Sequence, residues 1–120
     1  ETILDPFLGI GSTLRASASL GRSGIGIDLN PDFCEIARQR VDSIPDEDFV
    51  TELRKTQKII QGDSRDVLPS MQENSIDLVV TSPPYWNILN QKRTVDTKEL
   101  RNYSESEEDL GNINDYDQFL

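Results

Sequence analysis

Thr2-Ile3-Leu4-Asp5-Pro6-Phe7-Leu8-Gly9-Ile10-Gly11-Ser12-Thr13 opens the chain, and its reading decides the architecture. Thr2 to Asp5 has the composition of the end of a buried strand, begun so abruptly that residues are expected before Glu1. Gly9 and Gly11 let the backbone turn tightly and approach a ligand closely. Ser12 to Leu20 then reads as a helix, closed by Gly21. Two glycines in such a turn have two readings, a ligand cradle or a plain strand-to-helix turn. Asp5 just upstream favours the cradle, because a carboxylate there can pair with the positive end of a ligand.

Working outward, Ser23 to Asp28 reads as a second strand, and Asn30-Pro31 supplies an N-cap followed by a proline at the first helical position. Phe33, Ile36, Ala37 and Val41 recur at helical spacing and predict one buried face, with the helix ending near Ser43. Ile44 to Gln57 is polar and predicts a surface loop with a helical turn around Glu47 to Arg54. Lys58 to Gln61 predicts a third strand ending at Gly62-Asp63, and Ser75 to Thr81 a fourth. A short helix or turn is expected between them, from Arg65 to Met71.

Strands alternating with helices imply a parallel sheet with right-handed crossovers, the doubly wound α/β class. Ligands in that class sit at the carboxyl ends of the strands. Asp5 to Gly11, Asp28, Asp63 and Ser82 to Tyr85 all fall at such ends and are expected to converge on one crevice. Beyond Trp86 the pattern fades: residues 90–120 form an acidic, polar tail carrying Glu105-Ser106-Glu107-Glu108-Asp109, with a short helix from Asn114 to Leu120.

A chain of 120 residues fits one domain with one modest core. The net charge of -10 repels polyphosphate, so a nucleic-acid partner would have to be gripped by a local basic patch or by a segment outside this chain. Cys34 is the single cysteine and histidine is absent, which excludes an intrachain disulfide, Ser-His and Cys-His nucleophile pairs and an ordinary zinc site. No apolar run is long enough to cross a bilayer and no basic-then-apolar leader opens the chain, so no membrane partner and a cytoplasmic location are expected.

Asp28 stands where a carboxylate would accept hydrogen bonds from ribose hydroxyls, or where an aspartate leads into the next helix. Asp63 has a similar double reading, as acceptor for an adenine amino group or as a turn residue. Taken as a set, the three carboxylates imply an adenosine ligand. In Ser82-Pro83-Pro84-Tyr85 two consecutive prolines remove two backbone donors and hold an extended turn whose carbonyls are free to accept. An amino group on a nucleobase needs such acceptors to orient its nitrogen lone pair. Tyr85 can stack on the base, a contact worth roughly 1–3 kcal/mol in single-strand binding. The plain alternative is a Pro-Pro turn with a packing tyrosine.

Together these stretches resemble the amino-group DNA methyltransferases, which methylate cytosine N4 or adenine N6. Asp5 to Thr13 is similar to their cofactor motif, Gly26-Ile27-Asp28-Leu29-Asn30-Pro31 to their second motif and Thr81 to Trp86 to their catalytic motif. The resemblance runs from Ile3 to Trp86. It implies a partial Rossmann-like methyltransferase sheet, strands 1 to 4 without the later ones, in residues 1–89. It also implies S-adenosyl-L-methionine as cofactor, with Asp5, Phe7, Gly9, Gly11, Asp28 and Asp63 lining its pocket. The target base would be flipped out onto Ser82, Pro83, Pro84 and Tyr85. Serine at the first catalytic position leans toward cytosine N4, since the adenine enzymes more often carry aspartate or asparagine there. C5 methylation would need a nucleophilic cysteine, and Cys34 sits mid-helix, expected in the core or half-exposed.

The same resemblance leaves the later strands and a target-recognition domain unaccounted for. DNA is therefore expected to be held through segments outside this chain, and self-association or a partner is expected to complete the sheet. Three alternatives remain in view. RNA-base and protein-glutamine methyltransferases use a related loop, but with Asn or Asp where Ser82 stands. A nicotinamide-binding domain would need a third glycine where Leu14 is found. A non-catalytic half that folds or binds only with a partner segment is the third.

Overall fold

In the computed structural model, which describes residues 1–44, 56–84 and 109–113, the strand that opens the chain lies inside the sheet. This strand, β1 (Thr2–Asp5), pairs in parallel with β2 (Ser23–Asp28) on one side and β4 (Leu78–Val79) on the other. Beyond β2 lies β3 (Gln57–Gln61), also parallel, so the order is β3-β2-β1-β4. The register runs from Thr2 opposite Ser23 to Asp5 opposite Gly26, and from Gly24 opposite Gln57 to Asp28 opposite Gln61. The doubly wound α/β class read from the sequence is the observed one. The sheet belongs to a unit spanning Glu1–Ser82; Pro83–Leu120 forms a second unit, in which a 3-10 turn at Leu110–Asn112 is described.

Two helices contact β2 and each other: α1 (Ser12–Ser19) and α2 (Pro31–Asp42). Both begin and end as local chemistry dictates. The Asn30 side chain accepts from the Asp32 N–H at 2.9 Å and Pro31 occupies the first turn, while Gly21 takes φ 71° just past the end of α1. Leu14 and Ala18 of α1, Ala37 and Val41 of α2, and Leu4 and Ile27 of the sheet are buried together with Leu8 from the glycine turn. Leu8, Leu14, Ala37 and Val41 form one cluster, with Ile59 of β3 packed against it.

The buried stripe of α2 differs from the expected one. Cys34, Ala37 and Val41 face inward, whereas Ile36 is 40% exposed and Phe33 only half-buried. Close approach explains the rotation: α2 lies so near the glycine turn that a Cβ on Gly11 would sit 2.8 Å from the Ala37 Cβ. The helix presents its small residues there, and the bulkier Ile36 is turned outward.

The fourth strand is also shorter than expected. Instead of Ser75 to Thr81, only Leu78–Val79 ladder with β1, flanked by bonds from the Asp77 N–H to the Thr2 carbonyl and from the Val80 N–H to the Leu4 carbonyl. With its neighbour β1 only four residues long, the ladder has little backbone on which to extend. The helix expected near Arg65 to Met71 is a four-residue turn, α3 (Ser64–Val67), continued by a 3-10 turn at Leu68–Ser70. The helical turn expected around Glu47 to Arg54 and the helix expected from Asn114 to Leu120 lie outside the described residues.

Gly9 and Gly11 both take positive φ, 54° and 85°, but only Gly11 is sterically enclosed; nothing lies within 4 Å of a Cβ on Gly9. Gly9→Ala is therefore expected to lose only the left-handed backbone penalty, about 1–2 kcal/mol. Gly11→Ala adds to that an overpacking penalty of about 1–3 kcal/mol against Ala37. Urea unfolding of both variants should place Gly11→Ala well below Gly9→Ala in stability.

Candidate functional site

The chain runs β1, β2, β3 in one direction across the sheet and then returns to place β4 on the far side of β1. Such a reversal opens a crevice at the carboxyl ends of the two strands that flank it, because their loops depart to opposite sides. The loop after β1 leaves there, and Thr81 and Ser82 follow β4 at the same end of the sheet.

The β1 loop is held by its own side chains. Asp5, 4% exposed, accepts from the Phe7 N–H at 3.1 Å and from the Thr13 hydroxyl at 2.5 Å, one donor on each oxygen. Leu8 drives the loop into the core: its side chain is buried and its N–H donates to the Ile27 carbonyl at 2.8 Å. A Cβ on Gly26 would lie 2.5 Å from Leu8 Cδ2, so the glycine in β2 is what makes room. From α2, Arg40 Nη1 donates to the Ile10 carbonyl at 3.0 Å.

Asp28 ties this loop to the next one. Its Oδ2 accepts from the Gly9 N–H at 2.7 Å and its Oδ1 from the Asn30 N–H at 2.9 Å. Asp28 thus leads into α2 while standing against the glycine turn. Asp63 caps α3, accepting from the Arg65 N–H at 2.8 Å, and the Arg65 guanidinium also spans both of its oxygens at 2.5 to 3.1 Å. That guanidinium holds the Asp63 carboxyl below the usual carboxylate range, outweighing the opposing effect of burial. The neighbouring Ser64 hydroxyl, itself buried, donates to the Pro6 carbonyl of the β1 loop.

Asp5 and Asp28 therefore end β1 and β2, Phe7, Gly9 and Gly11 stand on the loop after β1 and Asp63 on the loop after β3; Asp5 is bonded to Phe7 and Asp28 to Gly9, and Ser64, beside Asp63, is bonded to Pro6. Of the tetrapeptide after β4, Ser82 closes the first unit, Pro83 and Pro84 open the second, and Tyr85 lies outside the described residues. Leu8, Thr13, Arg40, Ser64 and Arg65 support this site without having been singled out from the sequence. Only Gly26 gives a signal for one of them, Leu8, since glycine inside a strand marks close approach of another group.

Three carboxylates around the loops suit a ligand with cationic, hydroxyl or amino groups and would repel a pyrophosphate. Leu14, fully buried, fills the place where a dinucleotide-binding turn would need its third glycine. Cys34 is no nucleophile: burial pushes its thiol up, Asp28 adds to the shift, and Arg38 opposes it only in part. Among the described residues no group of three His, Cys, Asp or Glu could hold a metal ion, and no helix is long and apolar enough to cross a membrane.

Residues 1–39 match the DNA methylase family. The resemblance read from the motifs is borne out over this methylase segment. The type II methyltransferase M.HpaI of Haemophilus parainfluenzae is 46% identical over 43 residues, covering 36% of this chain and 14% of that protein. M.MthZI of Methanothermobacter thermautotrophicus is 42% identical over 41 residues, or 34% of this chain and 12% of that one. The match thus spans about one-seventh or less of these curated relatives. Among solved structures, an RNA methyltransferase from Salinibacter ruber in complex with S-adenosyl-L-homocysteine superposes with TM-score 0.52 at 21% identity, over 68% of this chain and 46% of that one. The N-terminal domain of human METTL16, also with S-adenosyl-L-homocysteine, gives 0.54 at 16% identity over 70% and 32%. These superpositions establish the fold as a parallel α/β sheet of the kind those proteins share.

The Asp63 titration follows from this geometry. Its depressed carboxyl contributes stability that is present above the ordinary carboxylate value and lost as the pH falls through the lower, folded one. Arg65→Ala removes the principal cause, so carboxyl-carbon NMR should show the Asp63 midpoint move up toward the ordinary value, and the Asp63-linked loss of stability in acid should shrink.

Proposed function

We propose that this chain is the S-adenosyl-L-methionine-binding part of an amino-group DNA methyltransferase, acting on cytosine N4 in preference to adenine N6. One observation carries the reading: the methylase segment, residues 1–39, contains both the glycine turn and Asp28, and these are joined by the bond from the Gly9 N–H to the Asp28 carboxylate. The residues present fit the cofactor. Open space at Gly9 leaves the turn accessible, and Asp28 and Asp63 are acceptors suited to ribose hydroxyls and an adenine amino group.

In this reading Gly9 and Gly11 allow the backbone to approach the cofactor, Phe7 offers its ring to the adenine, and Asp5 holds the loop in shape through Phe7 and Thr13. When bound, S-adenosyl-L-methionine supplies an electrophilic methyl group on a sulfonium. Ser82, Pro83, Pro84 and Tyr85 are the catalytic tetrapeptide. The Ser82 hydroxyl and the proline carbonyls accept from the exocyclic amino group, so that its nitrogen lone pair is directed at the methyl carbon, and Tyr85 stacks on the flipped base. Transfer would form the carbon–nitrogen bond as the carbon–sulfur bond breaks, leaving its electron pair on sulfur as a neutral thioether, and would release one proton from the nitrogen to water.

With a net charge of -10, the chain leaves DNA to be gripped by segments outside it, and the protein works in the cytoplasm. A non-catalytic half needing a partner segment is the second reading. The exposure of the apolar Leu78, Val79 and Val80 on and beside β4, at 45 to 53%, favours it.

Methyl transfer to DNA, tRNA and protein substrates, measured side by side with radiolabelled cofactor, tests the proposal. Label should enter DNA as N4-methylcytosine; label in RNA or protein alone overturns it. Asp28→Ala should weaken cofactor binding and also loosen the Gly9 tie, lowering the melting temperature. Tyr85→Ala should leave cofactor binding intact and abolish turnover. Calorimetry of the isolated chain separates the second reading, which requires binding only when a partner segment is added.

A further inference from the structure

The Ser64 side chain joins two loops that lie 58 residues apart in sequence. Ser64 is 8% exposed, and its hydroxyl donates to the carbonyl of Pro6. Pro6 has no N–H to offer, and the N–H that follows it, on Phe7, is turned onto Asp5. The carbonyl between them is the group by which Ser64 fastens the β1 loop to the β3 loop. Asp63 immediately precedes Ser64 and Phe7 immediately follows Pro6. One buried hydrogen bond therefore sets the distance between the backbone positions that carry Phe7 and Asp63.

We infer that Ser64 is a positioning residue for adenine recognition: it sets the width of the slot formed by Phe7 and Asp63. The inference rests on the adenosyl-cofactor reading. The Gly9 N–H and the Gly62 N–H both donate to Asp28, so these bonds join the β1 and β3 loops by way of the end of β2, whereas the Ser64 hydroxyl joins the two loops directly. Loss of the Ser64 hydroxyl leaves a buried carbonyl without this donor and lets the slot widen, which weakens the contact to the adenine amino group more than contacts elsewhere on the ligand.

The test titrates the full chain with S-adenosyl-L-homocysteine and with its analogue lacking the adenine 6-amino group, in wild type, Ser64→Ala and Ser64→Thr. Wild type should prefer the amino-bearing ligand. Ser64→Ala should weaken that ligand about tenfold and the analogue much less, so that the preference collapses, while Ser64→Thr, which keeps the donor, should restore it. Equal weakening of both ligands, with the preference intact, would mean that Ser64 only supports the fold and would overturn the inference. Unchanged affinity and preference in Ser64→Ala would overturn it too, leaving the cofactor reading standing. Binding of neither ligand by wild type would remove the cofactor reading itself, and the slot with it. Should Ser64→Ala fail to fold, Ser64→Cys, similar in size but a weak donor, carries the same comparison.

Discussion

A Cβ on Gly11 would lie 2.8 Å from the Ala37 Cβ and 2.9 Å from its Cα, and much of the structure depends on that close approach of turn to helix. With no side chain at Gly11 and only a methyl at Ala37, α2 can lie against the glycine turn and α1 against α2. Leu8, Leu14, Ala37 and Val41 then close into one cluster over the sheet. Leu8 belongs to the loop rather than to a helix or strand, so the site's own backbone is pinned by core packing instead of being carried on the surface. The glycine turn is rigid for the same reason that the core is dense.

Above that core the loops are joined by carboxylates acting on backbone N–H groups. Asp5 accepts from Phe7, Asp28 from Gly9 and Asn30, Asp63 from Arg65. Each is an acceptor placed against donors that a tight turn leaves without partners, so turn geometry and acidic character arise together. A ligand entering here meets oxygens that are already oriented. Carboxylate oxygens have further lone pairs to share, so holding the loops and receiving a hydroxyl or amino group are compatible roles. The same carboxylates explain how this sheet can share its winding with dinucleotide-binding domains and still disfavour a phosphate: its rim is anionic, and the buried Leu14 closes the approach that a third glycine would leave open.

Much of this was legible from residues alone. Asp-Pro-Phe-Leu-Gly-Ile-Gly, the proline after Asn30 and the glycine at 21 are local signals whose meaning depends on backbone sterics, and the first two strands and two helices lie where those signals put them. The misreadings came from non-local contacts. Ile36 has the hydrophobicity of a core residue, yet Cys34 is inside because the neighbouring turn admits only small side chains. Ser75 to Thr81 has the composition of a long strand, yet only Leu78 and Val79 ladder with β1, opposite Ile3 and Leu4.

The sequence by itself therefore determined the alternation of strands and helices, the acceptor residues at the strand ends and the methylase resemblance, because turn, cap and periodicity rules act over a few bonds. The tertiary structure alone decided the partners: the order β3-β2-β1-β4, Asp28 against Gly9, Leu8 over Gly26, and Ser64 on Pro6. Those pairings join residues up to 75 positions apart, and a hydroxyl or carboxylate carries no mark in the sequence of which distant carbonyl or N–H packing will bring within reach.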